Sequence, residues 1–260
     1  ITEPYESLEN LYLPRDPSAS VYSQIEKDLK EAIADLPDAA FVNNGFRVTK
    51  ATAQTLLANV YMQMSGFPLN SNHYADAAAA AKSIITAGKH SLTEHIDHDQ
   101  NSAYNILRTK DILTEYVFTR ERSASITDYQ NRWVQLSFPV NAAAWGTFKY
   151  TLTNNAIRPM PTLINAYNPV TDLRIKERQF FFTEYEDDKG EMSQFEAPSP
   201  WFYVDEEAMF ETGISGKDFP IYRYAEVLLI AAEAIAQSEG VTAEAVEYLA
   251  DVKARAFTSM

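Results

Sequence analysis

The chain has 260 residues, 46% of them hydrophobic, no cysteine and a formal net charge of −14, with a pI near 4.7. A domain of this size buries roughly three quarters of its unfolded surface, and the lack of cysteine excludes disulfides, thiolate nucleophiles and cysteine-bound zinc. An acidic surface repels phosphate, so nucleic acid and anionic membrane surfaces are excluded as partners. No apolar run reaches the roughly 18 residues that span a bilayer. The opening Ile1-Thr2-Glu3-Pro4 lacks the basic start and apolar core of a secretory leader.

Residues 1–19 carry Pro4, Pro14 and Pro17 without a period and read as an extended lead-in. Ser18 or Ser20 offers a capping oxygen for a first helix, along which Val21, Ile25, Leu29, Ile33 and Leu36 form one apolar stripe. Pro37 ends it for want of an amide donor. After a turn-bearing connector, Thr49 caps a second helix with Ala53, Leu56, Leu57, Val60, Tyr61 and Met64 inward. Ser65-Gly66-Phe67-Pro68 stops it. A third helix, from about Tyr74 to Ala87, presents Ala77, Ala78, Ala81, Ile84 and Ile85, and Gly88 suits a left-handed cap. Small residues of this kind permit close helix approach.

From residue 92 to 215 the helical period lapses. Glu115 to Thr119 predicts a strand, Phe180 to Thr183 another, Glu184 to Gly190 a hairpin turn, and Trp201 to Val204 the returning strand. A structureless loop of this length is implausible in a compact domain, so the segment is expected to hold short strands and helices. The helical pattern resumes at Phe219-Pro220, with Tyr222, Ala225, Leu228, Leu229, Ala232 and Ile235 on one face. Glu239-Gly240 breaks it. Thr242 caps a last helix that points Ala245, Val246, Leu249, Val252 and Ala256 inward. The pairs at about 50–88 and 219–257 read as two hairpins of the tetratricopeptide type.

The segment Tyr222-Arg223-Tyr224-Ala225-Glu226-Val227-Leu228-Leu229-Ile230-Ala231-Ala232-Glu233-Ala234, with Val252-Lys253-Ala254-Arg255-Ala256 after it, resembles the signature of the SusD/RagB family. Val21-Tyr22 through Leu36-Pro37, Arg47 through Tyr61, Glu115 to Phe118, and Thr171 to Arg174 are similar to further family segments, in family order. The resemblance implies a mainly α fold: tetratricopeptide-like helical hairpins with a loop-rich insertion carrying short strands. It divides a single domain (1–260) into first helical repeats (20–91), an irregular ligand-binding insertion (92–215) and a second hairpin (216–260). It also implies a central portion of the family's chain, without the N-terminal lipid-attachment and C-terminal segments, leaving an apolar face of the final helix unpaired. Arg223 and Glu226, three apart, are expected to pair, and Asp172 and Arg174 to fix a loop.

Family members are outer-membrane lipoproteins on the extracellular face, in nutrient uptake and polysaccharide utilisation. The function implied is therefore non-enzymatic: capture of oligosaccharides and delivery to a SusC-like TonB-dependent transporter, without cofactor, the membrane being reached only through a lipid anchor absent from this chain. Peptide capture, a helical-repeat protein-interaction module and a glycoside hydrolase are the alternatives. For ligand contact the insertion offers Trp133, Trp145 and Tyr129, with Arg132 as polar partner and Trp201, Tyr150 and Tyr203 nearby. Flat rings stack on sugar faces, although the same rings also build ordinary cores. No catalytic residue emerges, since the carboxylates around Glu184 to Glu191 sit in an apparent turn, where no apolar pocket raises a pKa. His95 and His98, one helical turn apart, lack a third metal ligand, and Asp97-x-Asp99-x-Asn101 fails as a calcium loop, with Ser102 and Arg108 where glycine and glutamate belong. No metal site is therefore expected.

Overall fold

A computed structural model describes residues 14–126, 133, 157–186, 190–208 and 214–258. The long helices fall where the apolar period places them. Helix α1 spans Ser18–Asp35, α2 Lys50–Ser65 and α3 Tyr74–Ala87. Short helices α4, Ala103–Thr109, and α5, Pro161–Asn165, lie in the middle of the chain, and α6, Tyr224–Glu239, and α7, Ala243–Ala254, form the second hairpin.

The helix ends follow their local chemistry. Thr49 and Thr52 cap α2 reciprocally, the Thr49 amide donating to Thr52 Oγ1 at 3.4 Å. Thr52 Oγ1 in turn donates to the Val117 carbonyl at 3.0 Å, which ties the helix start to a strand. Gly88 takes the left-handed conformation (φ 63°) that ends α3, and Thr242 Oγ1 accepts the Ala245 amide at 3.2 Å. Helix α1 departs from expectation. Pro17, not a serine, stands at its cap position, and the Ser20 and Val21 amides donate to the Pro17 carbonyl. Its far end is as expected: Leu36, next to Pro37, is extended.

Helix α1 packs on α2, α2 on α3, α3 on α6, and α6 on α7. The two hairpins are thus neighbours although the intervening chain separates them. The seam is made of small side chains: Ala77 and Ala81 of α3 and Ala231 and Ala234 of α6 are fully buried. Ile84, Val117, Val227 and Ile230 fill the space around Ala81 and Ala231. Tyr22, Ile25, Leu29 and Ile33 of α1 close the outer side over Leu57, Tyr61 and Met64, while Val21 stays 46% exposed. Tyr22 has taken its place.

Helix α7 turns differently from its predicted face. Ala245 is buried, but Val246 is 51% and Leu249 43% exposed, and Tyr248 packs inward instead. The Tyr248 ring joins both clusters and its hydroxyl donates to Glu244 at 2.9 Å.

Among the described residues, two antiparallel ribbons join the helices. Strand β1, Tyr116–Arg120, pairs with β4, Phe219–Arg223, matching Tyr116 to Arg223 and Arg120 to Phe219. Residues 219–223 are thus a strand feeding α6, where the sequence pattern suggested a helix. Strand β2, Phe181–Glu186, pairs with β3, Met192–Pro200. The return strand therefore precedes Trp201, which is 3% exposed and belongs to the core with Phe182, 5.2 Å away. No described helix is long and apolar enough to cross a membrane.

Buried ion pairs lock these parts together. Glu115, fully buried, receives Arg255 at 2.7 and 2.8 Å, Arg223 at 3.3 Å and the Thr93 amide at 2.7 Å. Arg223 therefore pairs across the ribbon with Glu115 and not with Glu226, which accepts Asn59 Nδ2 at 3.1 Å. Asp172 and Arg174 fix their loop as expected: the Arg174 guanidinium donates to both Asp172 oxygens, at 2.9 and 2.7 Å. The adjoining Leu173 amide donates to the Ala256 carbonyl at 2.7 Å.

Candidate functional site

Where the chain leaves β1 and returns to β4, three segments face one another: residues 108–111, 202–208 and 214–220. They enclose a cavity of about 520 Å³, within the range of small-ligand sites. Its wall is set by polar contacts. The Lys217 ammonium pairs with Asp111 and donates to the Lys110 carbonyl at 3.0 Å. The Asp218 amide donates to Asp111 Oδ1 at 3.2 Å, and the Asp218 carboxylate accepts the Arg122 amide at 2.8 Å. Ser215 Oγ donates to Asp205, which also accepts the Ala208 amide at 3.1 Å. These bonds hold the 205–208 turn against the 215–218 loop.

Arg108, on the last turn of α4, forms the floor. It donates to the Val204 carbonyl at 2.8 Å and to Asn105 Oδ1 at 3.2 Å, and its guanidinium lies 4.4 Å over the Trp201 ring. Burial lowers its pKa, partly offset by Glu206 and Asp205. Burial also raises the Asp218 carboxyl, an effect that the Arg122 amide reduces.

Aromatic rings line one side. Tyr203 and Phe219, both half-buried wall residues, lie with planes 4° apart and centroids 6.5 Å apart. Trp133 stacks on both, at 5.7 Å and 25° to Tyr203 and 5.8 Å and 26° to Phe219. Phe202 meets Tyr203 edge-on at 5.5 Å. Of the four ligand-contact residues expected from sequence, Trp133 thus joins the cavity's aromatic side. Trp145, Tyr129 and Arg132 lie outside the described residues. Tyr203 was legible among the insertion aromatics, whereas Phe219, Lys217, Asp218, Asp111 and Arg108 were not, because the wall is assembled from segments remote in sequence.

The histidine cluster has another role. Both nitrogens of His95 are engaged: Nδ1 accepts the Ala103 amide at 2.9 Å, and Nε2 donates to the Arg255 carbonyl at 2.7 Å. The His98 ring meets it edge-on at 4.9 Å. Among the described residues no group of three metal-binding side chains occurs. Asp97 accepts the Asp99 and Asn101 amides, both at 2.9 Å, so its carboxylate closes a turn.

Residues 203–260 match the SusD family. None of the curated proteins matches the chain. Among solved structures, a SusD superfamily protein from Parabacteroides distasonis superposes with TM-score 0.86 at 24% identity, over 98% of this chain and 54% of its own. Surface glycan-binding protein A from Bacteroides thetaiotaomicron, in complex with laminarihexaose, superposes with TM-score 0.69 at 18% identity, over 94% of this chain and 55% of its own. A laminarin-binding SusD-like protein gives TM-score 0.69 at 20% identity, over 98% of this chain and 58% of its own. The chain therefore has the SusD-like fold and spans little more than half the length of these relatives.

Proposed function

We propose that this chain, which carries a SusD family segment at residues 203–260 and the SusD-like fold throughout, is the ligand-capturing part of a cell-surface glycan-binding protein. The observation that carries the reading is the stack of Trp133 on Tyr203 and Phe219 beside the 520 Å³ cavity. An aromatic side in a cavity also lined by carboxylates suits an oligosaccharide, because a sugar ring has apolar C–H faces and a polar rim. The laminarin and laminarihexaose binding of similar folds supports the same ligand class.

In this reading residues 20–91 and 216–260 are the helical scaffold of one domain, and 92–215 is the insertion that meets ligand. Trp145, Tyr129 and Arg132 are further ligand-contact residues in this reading. The protein sits on the outer face of an outer membrane by a lipid anchor and passes oligosaccharides to a SusC-like TonB-dependent transporter. It performs no chemistry. The cavity's inner carboxylates Asp111, Asp205 and Asp218 are each held by amides, a hydroxyl or Lys217, as parts of the wall and not as a free acid and base.

The test is calorimetry against neutral oligosaccharides with the full chain and a Trp133→Ala variant. Saturable binding that the variant loses, without product formed, is the expected result. Silence across the panel, or release of shorter sugars, sinks the reading.

A further inference from the structure

The cavity's charge is lopsided. Among the described residues, Asp111, Asp205, Glu206, Glu207 and Asp218 line it, against Arg108 and Lys217. Five carboxylates and two cations leave three net negative charges if all are ionised, although burial moves Asp218 toward its neutral form. These two described cations are also turned to other work. Arg108 is spent on the Val204 carbonyl, Asn105 and the Trp201 face, and Lys217 on Asp111 and the Lys110 carbonyl. Neither presents the open guanidinium fork or loose ammonium that recognises a carboxylate or sulfate. Glu206 and Glu207, at the exposed edge, set the sign of the field that an arriving ligand meets. A cleft with walls of one sign concentrates that field and raises or lowers local ligand concentration accordingly.

Resting on the glycan-binding reading, we infer that this cavity selects uncharged, hydroxyl-rich oligosaccharides and rejects glycans bearing uronate or sulfate groups. Carboxylates accept hydrogen bonds from sugar hydroxyls, and charged acceptors make the stronger bonds. The same carboxylates repel an anionic sugar at every approach. The whole chain adds to this, with its net charge of −14.

The experiment measures the affinity of the full chain for laminarihexaose, cellohexaose, mannohexaose and xylohexaose, and for hexagalacturonate, at about 0.02 M and about 0.5 M salt. At these strengths the screening length falls from roughly 20 Å to about 4 Å. The expected result is saturable binding of at least one neutral hexaose with little salt dependence. Hexagalacturonate should bind at least about tenfold more weakly at low salt, with the gap narrowing at high salt. A Glu206→Gln, Glu207→Gln variant should shift the ratio of the two affinities toward the anion by about tenfold. Hexagalacturonate binding as tightly as the best neutral sugar, or a ratio unmoved by the variant, overturns the selectivity while leaving glycan capture intact. Silence toward every sugar, charged or not, overturns both.

Discussion

The Arg255 guanidinium grips the Glu115 carboxylate with both terminal nitrogens, at 2.7 and 2.8 Å, across 140 residues of chain. Glu115 is fully buried and the Arg255 side chain is 9% exposed. Two charges taken out of water in this way gain little net stability as a pair, but the loss of either partner strands the other. Glu115→Gln is therefore expected to cost about 3–5 kcal/mol, read as a lowered urea midpoint with an unchanged slope. Arg255→Lys, which keeps the charge and loses the fork, should cost less than Glu115→Gln but remain measurable. No loss at all from Arg255→Lys would argue against two-point geometry.

The same junction makes the protein sensitive to acid. Because the Ala103 amide already donates to His95 Nδ1, a second proton has no acceptor there, and burial lowers the pKa below the ordinary 6.5. A histidine depressed on folding contributes stability that is present above 6.5 and is lost as pH falls toward its folded value. Glu115 follows at lower pH. Burial raises its carboxyl, but the Arg255 hydrogen bonds and the charges of Arg255 and Arg223 outweigh this and leave it below the ordinary 4.5. Its contribution is lost only beneath that value. His90, whose pKa burial also lowers, adds to the first stage. Unfolding midpoints should therefore decline in two stages, below about pH 6.5 and again below about pH 4.5, and His95→Leu should shrink the first. A flat profile from pH 7 to pH 5 would count against the His95 contacts.

The alanine seam between α3 and α6 leaves no room for larger side chains. Ala81→Leu or Ala231→Leu, each at a fully buried position, is expected to cost about 1–3 kcal/mol by overpacking. Ile84→Ala, in the same cluster, should cost about 2–5 kcal/mol by leaving a cavity. Thermal denaturation of the three variants measures both. Tolerance of leucine at either alanine would mean that the hairpins are not in contact there.

Trp133→Ala should weaken oligosaccharide binding about tenfold or more, because the ring offers sugar a flat apolar face that alanine does not replace. Trp201→Ala, in contrast, should act on folding: that indole lies in the core and donates to Asn105 Oδ1 at 2.7 Å. A stability loss of about 3–5 kcal/mol is expected for it. Isothermal calorimetry paired with thermal melts separates the two effects. Binding loss from Trp201→Ala without loss of stability would reverse the assignment.

The helical scaffold was legible because its apolar residues recur with the helical period and its ends carry Thr49, Gly88 and Thr242. What the sequence hid has local causes. Strand β4 runs into α6 with no breaker between them, and Pro220, which cannot donate to a ladder, disguises a strand that survives only because its ribbon has two edges. Helix α7 shows Val246 and Leu249 to solvent because the large Tyr248 ring fills the inward place. The cavity was hardest to foresee. Asp111 and Asp218 meet through a backbone amide, a contact 107 residues apart that no spacing rule contains.

The β1–β4 ribbon brings residues 120 and 219 face to face, so the long stretch between them begins and ends at one place on the helices. Closing a loop costs free energy only as the logarithm of its length, with about 0.6 kcal/mol for each doubling. That stem lets the intervening chain change length at small cost wherever it leaves the buried contacts of Leu173, Phe182 and Trp201 alone. The seam of Ala81 and Ala231 beneath then keeps its register.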